Sequence, residues 1–190
     1  MSGQASPPPA GDRARAMVGV AVEPAVAFAL FTEQMDLWWR RGKRYRVAEG
    51  DRGLMAMEPG VGGRVFESWH DEGGVERVRE IGRVQVWEPP RRLVFSWRGA
   101  NFAPGESTEV EVLFRRTESG GTQVSVEHRG WAALRPDHPV RHGQDTAAFV
   151  RTMALWWGDL LTSLRVRGTG EPQVRGAGPT PPPGPPASPR

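Results

Sequence analysis

Between residues 54 and 129 apolar and polar positions mostly alternate, the period-two pattern of strands with one buried face. Leu93, Phe95 and Trp97 share one parity, against Val94 and Ser96. Val110, Val112 and Phe114 oppose Glu109, Glu111 and Arg115, while Thr122, Val124, Val126 and His128 oppose Gln123, Ser125, Glu127 and Arg129. Turn residues bound each run. The predicted strands are 54–57, closed by Pro59-Gly60; 64–70, followed by a four-residue turn Asp71-Glu72-Gly73-Gly74; and 75–87, stopped by Pro89-Pro90. Three more follow at 93–98, 108–116 and 122–129, the last two joined around Ser119-Gly120-Gly121. No strand–helix–strand spacing interrupts them, so the sheet is expected to be antiparallel, one face apolar and the other a lattice of opposite charges.

The period changes at both ends of this region. Residues 16–22 read as a first strand. Glu23-Pro24 then opens a helix, proline suiting the first helical position, with Val26, Phe28 or Ala29, Leu30 and Phe31 on its apolar face. A short second turn holds Met35, Leu37, Trp38 and Trp39. From 144 to 166, Phe149, Met153, Trp156, Leu160 and Leu164 recur at three- and four-residue steps, and Val150, Trp157 and Leu161 widen the stripe. Such a helix is roughly 34 Å long at about 1.5 Å per residue, enough to cross a whole sheet. The sheet is the only surface large enough to cover its stripe. The predicted class is α+β: a curved antiparallel sheet gripping a long C-terminal helix.

Composition sets the limits of this domain. Residues 1–13 carry three consecutive prolines, and eight of the chain's 18 prolines lie from Gly168 onward. Segments so poor in apolar residues do not offset their ordering entropy, so 1–13 and 168–190 are expected to be disordered and 14–167 to form the domain. There is no cysteine, which removes disulfides, thiolate zinc sites and cysteine nucleophiles. No signal-peptide pattern or run of about 18 apolar residues occurs, so a cytoplasmic protein without a membrane span is expected. The formal net charge is only +3 at a sequence pI near 10.4. Lys43 is the sole lysine, so the pI reflects arginine usage more than a strong positive field, and no nucleic-acid partner is expected. The dense run Arg40 to Arg46 reads as a solvated loop.

In its order of elements the chain resembles the helix-grip (START-like) fold. More narrowly, it is similar to bacterial SRPBCC proteins related to the activator of the heat-shock protein 90 ATPase. FTEQMDLWW at 31–39, PGVGGRVFESW at 59–69, IGRVQVWEPPRRLVFSW at 81–97, TEVEVLF at 108–114 and VEHRGW at 126–131 carry this resemblance, which spans about 14–167. It implies a cavity between sheet and helix suited to hydrophobic or amphipathic small molecules. It does not imply a reaction, because relatives include ligand carriers, polyketide cyclases and co-chaperone-like proteins. One departure bears on ligand size: relatives tend to carry a Gly-Trp pair in the terminal helix, whereas here Gly158 follows Trp156-Trp157.

Candidate chemistry centres on that cavity. His128 has inward parity and is either a polar anchor, an acid–base group or a hydrogen-bonded core histidine. Glu67 and Trp69 share parity with Val65, while Phe66 has the opposite parity and also demands burial; a bulge at Gly82 would reverse the count. An inward Glu67 needs a partner such as an arginine or His128. Trp38, Trp97, Trp156 and Trp157, with Phe95 and Met153 on the same inward faces, are candidate walls for a flat apolar ligand. His138 and His142 are four apart, but Pro139 intervenes and no third ligand is evident, so no metal site is expected. Serine-hydrolase, phosphate-loop, zincin and dinucleotide signatures are missing, so no cofactor is expected. The leading expectation is binding of a hydrophobic or amphipathic small molecule without catalysis. Alternatives are a cyclase- or aromatase-like enzyme using His128 and a carboxylate, and an interaction protein that modulates a chaperone ATPase or other protein partner.

Overall fold

The computed structural model describes residues 11–48 and 52–169. Residues 1–10 and 170–190, and with them most of the predicted unstructured ends, lie outside it. Seven strands form one antiparallel sheet in the order β1-β7-β6-β5-β4-β3-β2: β1 (Arg13–Val20), β2 (Leu54–Met57), β3 (Arg64–His70), β4 (Glu76–Glu88), β5 (Arg92–Trp97), β6 (Thr108–Arg116) and β7 (Thr122–Arg129). Helices α1 (Pro24–Thr32) and α2 (Met35–Trp38) link β1 to β2, and α3 (Thr146–Arg167) crosses the concave face. This is the helix-grip arrangement.

The alternation predicted for β6 and β7 is observed, whereas in β5 Val94, expected on the polar face, is buried along with Leu93 and Phe95. Leu93, Phe95, Val110, Val112, Phe114, Val124 and Val126 are buried in the core beneath the helices, Phe114 against Phe28 and Phe31 of α1. On the opposite face Arg13 and Arg15 pair with Glu127, Arg92 with Glu111, and Arg129 with Glu109, Glu111 and Glu127. These partly exposed pairs keep the outer face soluble and are individually worth little.

β1 begins earlier than the sequence pattern places it. Arg13 pairs with Arg129 at the start of its ladder, and Asp12 is buried just before it. The Asp12 carboxylate accepts from the backbone N–H of Ala132 at 2.6 Å and of Gly130 at 3.2 Å, which ties the chain start to the turn after β7. Residues 12 and 13 therefore belong to the fold. Asp12→Ala is expected to cost about 1–3 kcal/mol in urea unfolding, the usual penalty of unmet buried donors. An unchanged midpoint would show that the tie contributes nothing.

At the other end the Gly168 carbonyl accepts from Ala21 N–H at 2.9 Å, so the domain also extends past 167. The N-cap of α3 is Asp145, whose side chain accepts from Ala148 N–H at 2.8 Å; this starts the helix at Thr146, two residues later than predicted.

The β3–β4 hairpin settles the parity left open by the sequence. Asp71 Oδ1 accepts from the N–H groups of Gly73 and Val75, so Val75 belongs to the turn and His70 pairs with Glu76. Glu67 consequently lies opposite Arg79, one residue away from the four-residue-turn count. Val65 then pairs with Gly82 and Phe66 with Glu80, which leaves Ile81 as the extra residue of a bulge. Gly82 is required there because a Cβ would lie 1.7 Å from the Ser96 carbonyl oxygen. Val65 and Glu67 point inward and are fully buried, while Phe66 lies on the other face, half-buried under the Arg64 guanidinium at 4.9 Å.

Candidate functional site

The polar centre of the grip is His128, at the end of β7 and fully buried. Its Nδ1 accepts from the Trp157 indole N–H at 3.1 Å, so in the neutral ring the proton sits on Nε2. Nε2 lies 2.8 Å from Thr108 Oγ1, and that hydroxyl donates onward to the Trp97 carbonyl at 3.3 Å. Both ring nitrogens are thus occupied by groups from β6 and α3. Burial pushes the His128 pKa down from 6.5 to about 3, which keeps the ring uncharged at neutral pH.

After β7, Gly130 takes a positive φ of 96° that turns the chain back on itself. Trp131 is thereby laid against His128, with ring centroids 4.3 Å apart and its indole N–H donating to the His128 carbonyl.

Around this centre the tryptophans pack on one another. Trp39 stacks on Trp97 at 5.8 Å and 24°, and Tyr45 on Trp156 at 5.8 Å and 22°. Edge-on contacts of 5.2 to 6.4 Å join Trp39, Trp97, Trp156 and Trp157 into one layer. Trp157 is fully buried, whereas Trp97 and Tyr45 are only partly covered, so the layer runs from core to surface.

Among the predicted site residues, Phe95, Trp97, His128, Met153, Trp156 and Trp157 converge here. Met153 bridges this core to a second one containing Phe102, Trp131 and Phe149. Trp38 lies deeper, tilted against Phe31 at 4.8 Å, and donates to the Leu30 carbonyl. Trp69 is apart from the layer. It sits half-buried at the end of β3 beside a surface cleft of about 230 Å3 that also involves Val47, Ala48 and His70.

Glu67 is turned toward the 40–48 loop, not toward His128. Its carboxylate accepts from Val47 N–H at 2.7 Å and Ala48 N–H at 3.2 Å, so its partners are backbone donors where an arginine or His128 was expected. No carboxylate hydrogen-bonds to His128 among the described residues.

The arginine-rich loop differs most from its sequence reading. Arg46 is buried, with donors to the carbonyls of Trp39, Arg40 and Gly53 and to Asp36 at 2.7 Å. Asp36 also receives Arg41 and the Met55 N–H. The Tyr45 hydroxyl donates to Asp159 at 2.9 Å; desolvation first, and then that carboxylate, hold its pKa above the usual tyrosine value. Trp39 and Trp156 donate their indole N–H groups to the carbonyls of Tyr45 and Arg44. The loop is therefore fastened over the ring layer. A run of basic residues carries no one-dimensional signal of that, because the partners of Arg46 are backbone carbonyls and one distant carboxylate.

Between sheet and helix these indoles pack edge-on against one another. Clefts of about 440, 410 and 340 Å3 open elsewhere: between α2 and the end of α3, on the charged sheet face, and beside Ser107 and Gly130. No group of acidic and histidine residues suited to a metal ion occurs among the described residues, and no described helix is long and apolar enough to cross a membrane.

Comparison with known proteins agrees with this architecture. No protein of curated function matches the sequence significantly. An anthrahydroquino-gamma-pyrone synthase is 30% identical, at a TM-score of 0.50 over 81% of this chain and 95% of that one. An Hsp90 activator from Plasmodium falciparum superposes at a TM-score of 0.56 with 17% identity, over 83% and 96% of the two chains. The Aha1 protein of Colwellia psychrerythraea gives 0.52 with 16% identity, over 82% and 95%. The sequence profile named Activator of Hsp90 ATPase homolog 1-like protein matches residues 21–166, from just before α1 almost to the end of α3, and the chain belongs to that family.

Proposed function

We propose that this protein binds a flat hydrophobic or amphipathic small molecule against the tryptophan layer at the open end of the grip, without catalysing its conversion. The observation that carries this reading is the layer itself. Trp97 and Tyr45 are partly exposed rings continuous with the buried Trp39, Trp156 and Trp157. A planar ligand replaces ring–ring contacts with ring–ligand contacts of similar kind, so the layer opens at modest cost. That the 30% identical relative is an anthrahydroquino-gamma-pyrone synthase supports a planar ligand class. The absence of catalysis is supported by His128, whose two nitrogens are spent on Thr108 and Trp157 and whose low pKa unfits it as a base for solvent-derived protons.

Titration with N-phenyl-1-naphthylamine tests the reading. Saturable quenching of tryptophan emission at micromolar dye is expected, with a negative heat-capacity change. Trp97→Ala should weaken binding about tenfold, the scale of one lost aromatic contact. Linear, non-saturable quenching would sink the proposal. That outcome would favour the second reading, in which the outer surface modulates a protein partner.

A further inference from the structure

We propose that Arg79 is the anchor for an acidic group on the ligand, so that the site prefers planar amphipathic anions, such as carboxylates or sulfonates, over neutral compounds of the same shape. This rests on the ligand-binding reading above and specifies its substrate class. Arg79 lies directly opposite Glu67 in the β3–β4 ladder and therefore on the same inward face. It is half-buried, and its Nε is buried without a hydrogen-bond partner. Among the described residues its one hydrogen bond is a long one, from Nη2 to the Gly99 carbonyl at 3.3 Å, two residues beyond Trp97. No carboxylate lies within ion-pair distance of it among the described residues.

The apparent partner is engaged elsewhere. Glu67 spends both its oxygens on the N–H groups of Val47 and Ala48, so the positive charge of Arg79 is not met by contact. A guanidinium stays charged at any physiological pH, and a buried N–H without an acceptor is costly. Nε and Nη2 form the side edge of the guanidinium, the edge that grips a carboxylate or sulfonate through two parallel N–H···O bonds. Arg141 offers a contrast. Its Nε is also unpaired, but its other nitrogens reach Trp131 O, Leu134 O and Thr146 Oγ1, and it is 3% exposed. Arg141 is a staple for the segment before α3, whereas the Arg79 fork is held only by the long Nη2 bond to Gly99 and its Nε is unpaired. An acceptor entering beside Trp97 would complete it.

Two dyes that differ by one sulfonate test this: 1-anilinonaphthalene-8-sulfonate and N-phenyl-1-naphthylamine, titrated against the full chain and the variants Arg79→Gln and Arg79→Lys. Arg79→Gln is expected to weaken the sulfonate dye by about tenfold or more and the neutral dye by less than about twofold, as for loss of a charge-assisted bond. Arg79→Lys, which keeps the charge but not the fork, should fall between. Added salt should weaken sulfonate binding to the wild type more than to Arg79→Gln. Equal losses for both dyes, or no loss for either, would overturn the anchor. If only the neutral dye fails to saturate, the apolar-layer reading falls while an Arg79-dependent sulfonate site stands. If the neutral dye saturates and sulfonate binding ignores Arg79, the reverse holds.

Discussion

Replacing Trp157 by alanine is expected to lower the unfolding free energy by about 3–5 kcal/mol, a large share of the roughly 5–15 kcal/mol typical of a domain. The side chain is fully buried, touches the rings of Trp39, Trp97 and Trp156, and donates its indole N–H to His128. Alanine removes the packing and the donor together. Trp157→Phe separates them, because it keeps most of the apolar volume and deletes the N–H. It should still cost about 1–3 kcal/mol, since Nδ1 of His128 is then left without a donor in a site closed to water. Urea unfolding of the two variants measures both terms. A phenylalanine variant as stable as the wild type would show that the Trp157–His128 hydrogen bond contributes nothing net.

Acidification from pH 6.5 to 5 should remove about 1.6 kcal/mol of stability through His128 alone. The sign follows from linkage. The unfolded chain protonates this histidine near its ordinary pKa of about 6.5. The folded ring resists protonation down to about 3, because burial penalises the cation. Between those values the unfolded state holds one proton more, so stability falls with falling pH by up to about 1.4 kcal/mol per unit. The effect fades to nothing about one unit above the unfolded pKa and is complete about one unit below the folded one. Glu58, Glu106 and Glu111, with pKa values lowered chiefly by arginine, backbone or histidine partners, lose their contributions only below the ordinary carboxylate range. The window from 6.5 to 5 therefore isolates histidine. His128→Gln should flatten the slope there whatever its effect at pH 7. In the wild type, the His128 ring proton resonances should not titrate above pH 4. A conventional titration near 6.5 would refute the closed, neutral histidine, and with it the argument against a catalytic base.

Much of the architecture was legible in the order of residues. The strands 64–70, 108–116 and 122–129 occupy the predicted spans, and the stripe on α3 is the buried stripe. Parity placed His128, Phe95 and Trp97 on the face that α3 covers. At two boundaries where the reading slipped, a side chain acting on the backbone was responsible. Asp71 drew Val75 into the turn, and Asp12 held the chain start against Ala132, so boundaries moved by one to three residues.

What the sequence determined by itself is therefore which face of each element is apolar and in what order the elements come. Periodicity reports that directly, because side-chain direction follows local backbone geometry. What only the tertiary structure decided is how the buried polar groups are matched and how the interior volume is filled. Glu67 meets Val47 and Ala48 across some twenty residues, His128 meets Thr108 and Trp157 on different elements, and Arg46 is buried although it reads as loop charge. Those pairings depend on distances between atoms far apart in the chain, which no local period encodes. The same holds for Arg79: its parity was countable once the bulge at Ile81 was known, but its missing partner becomes visible only when Glu67 is seen turned away.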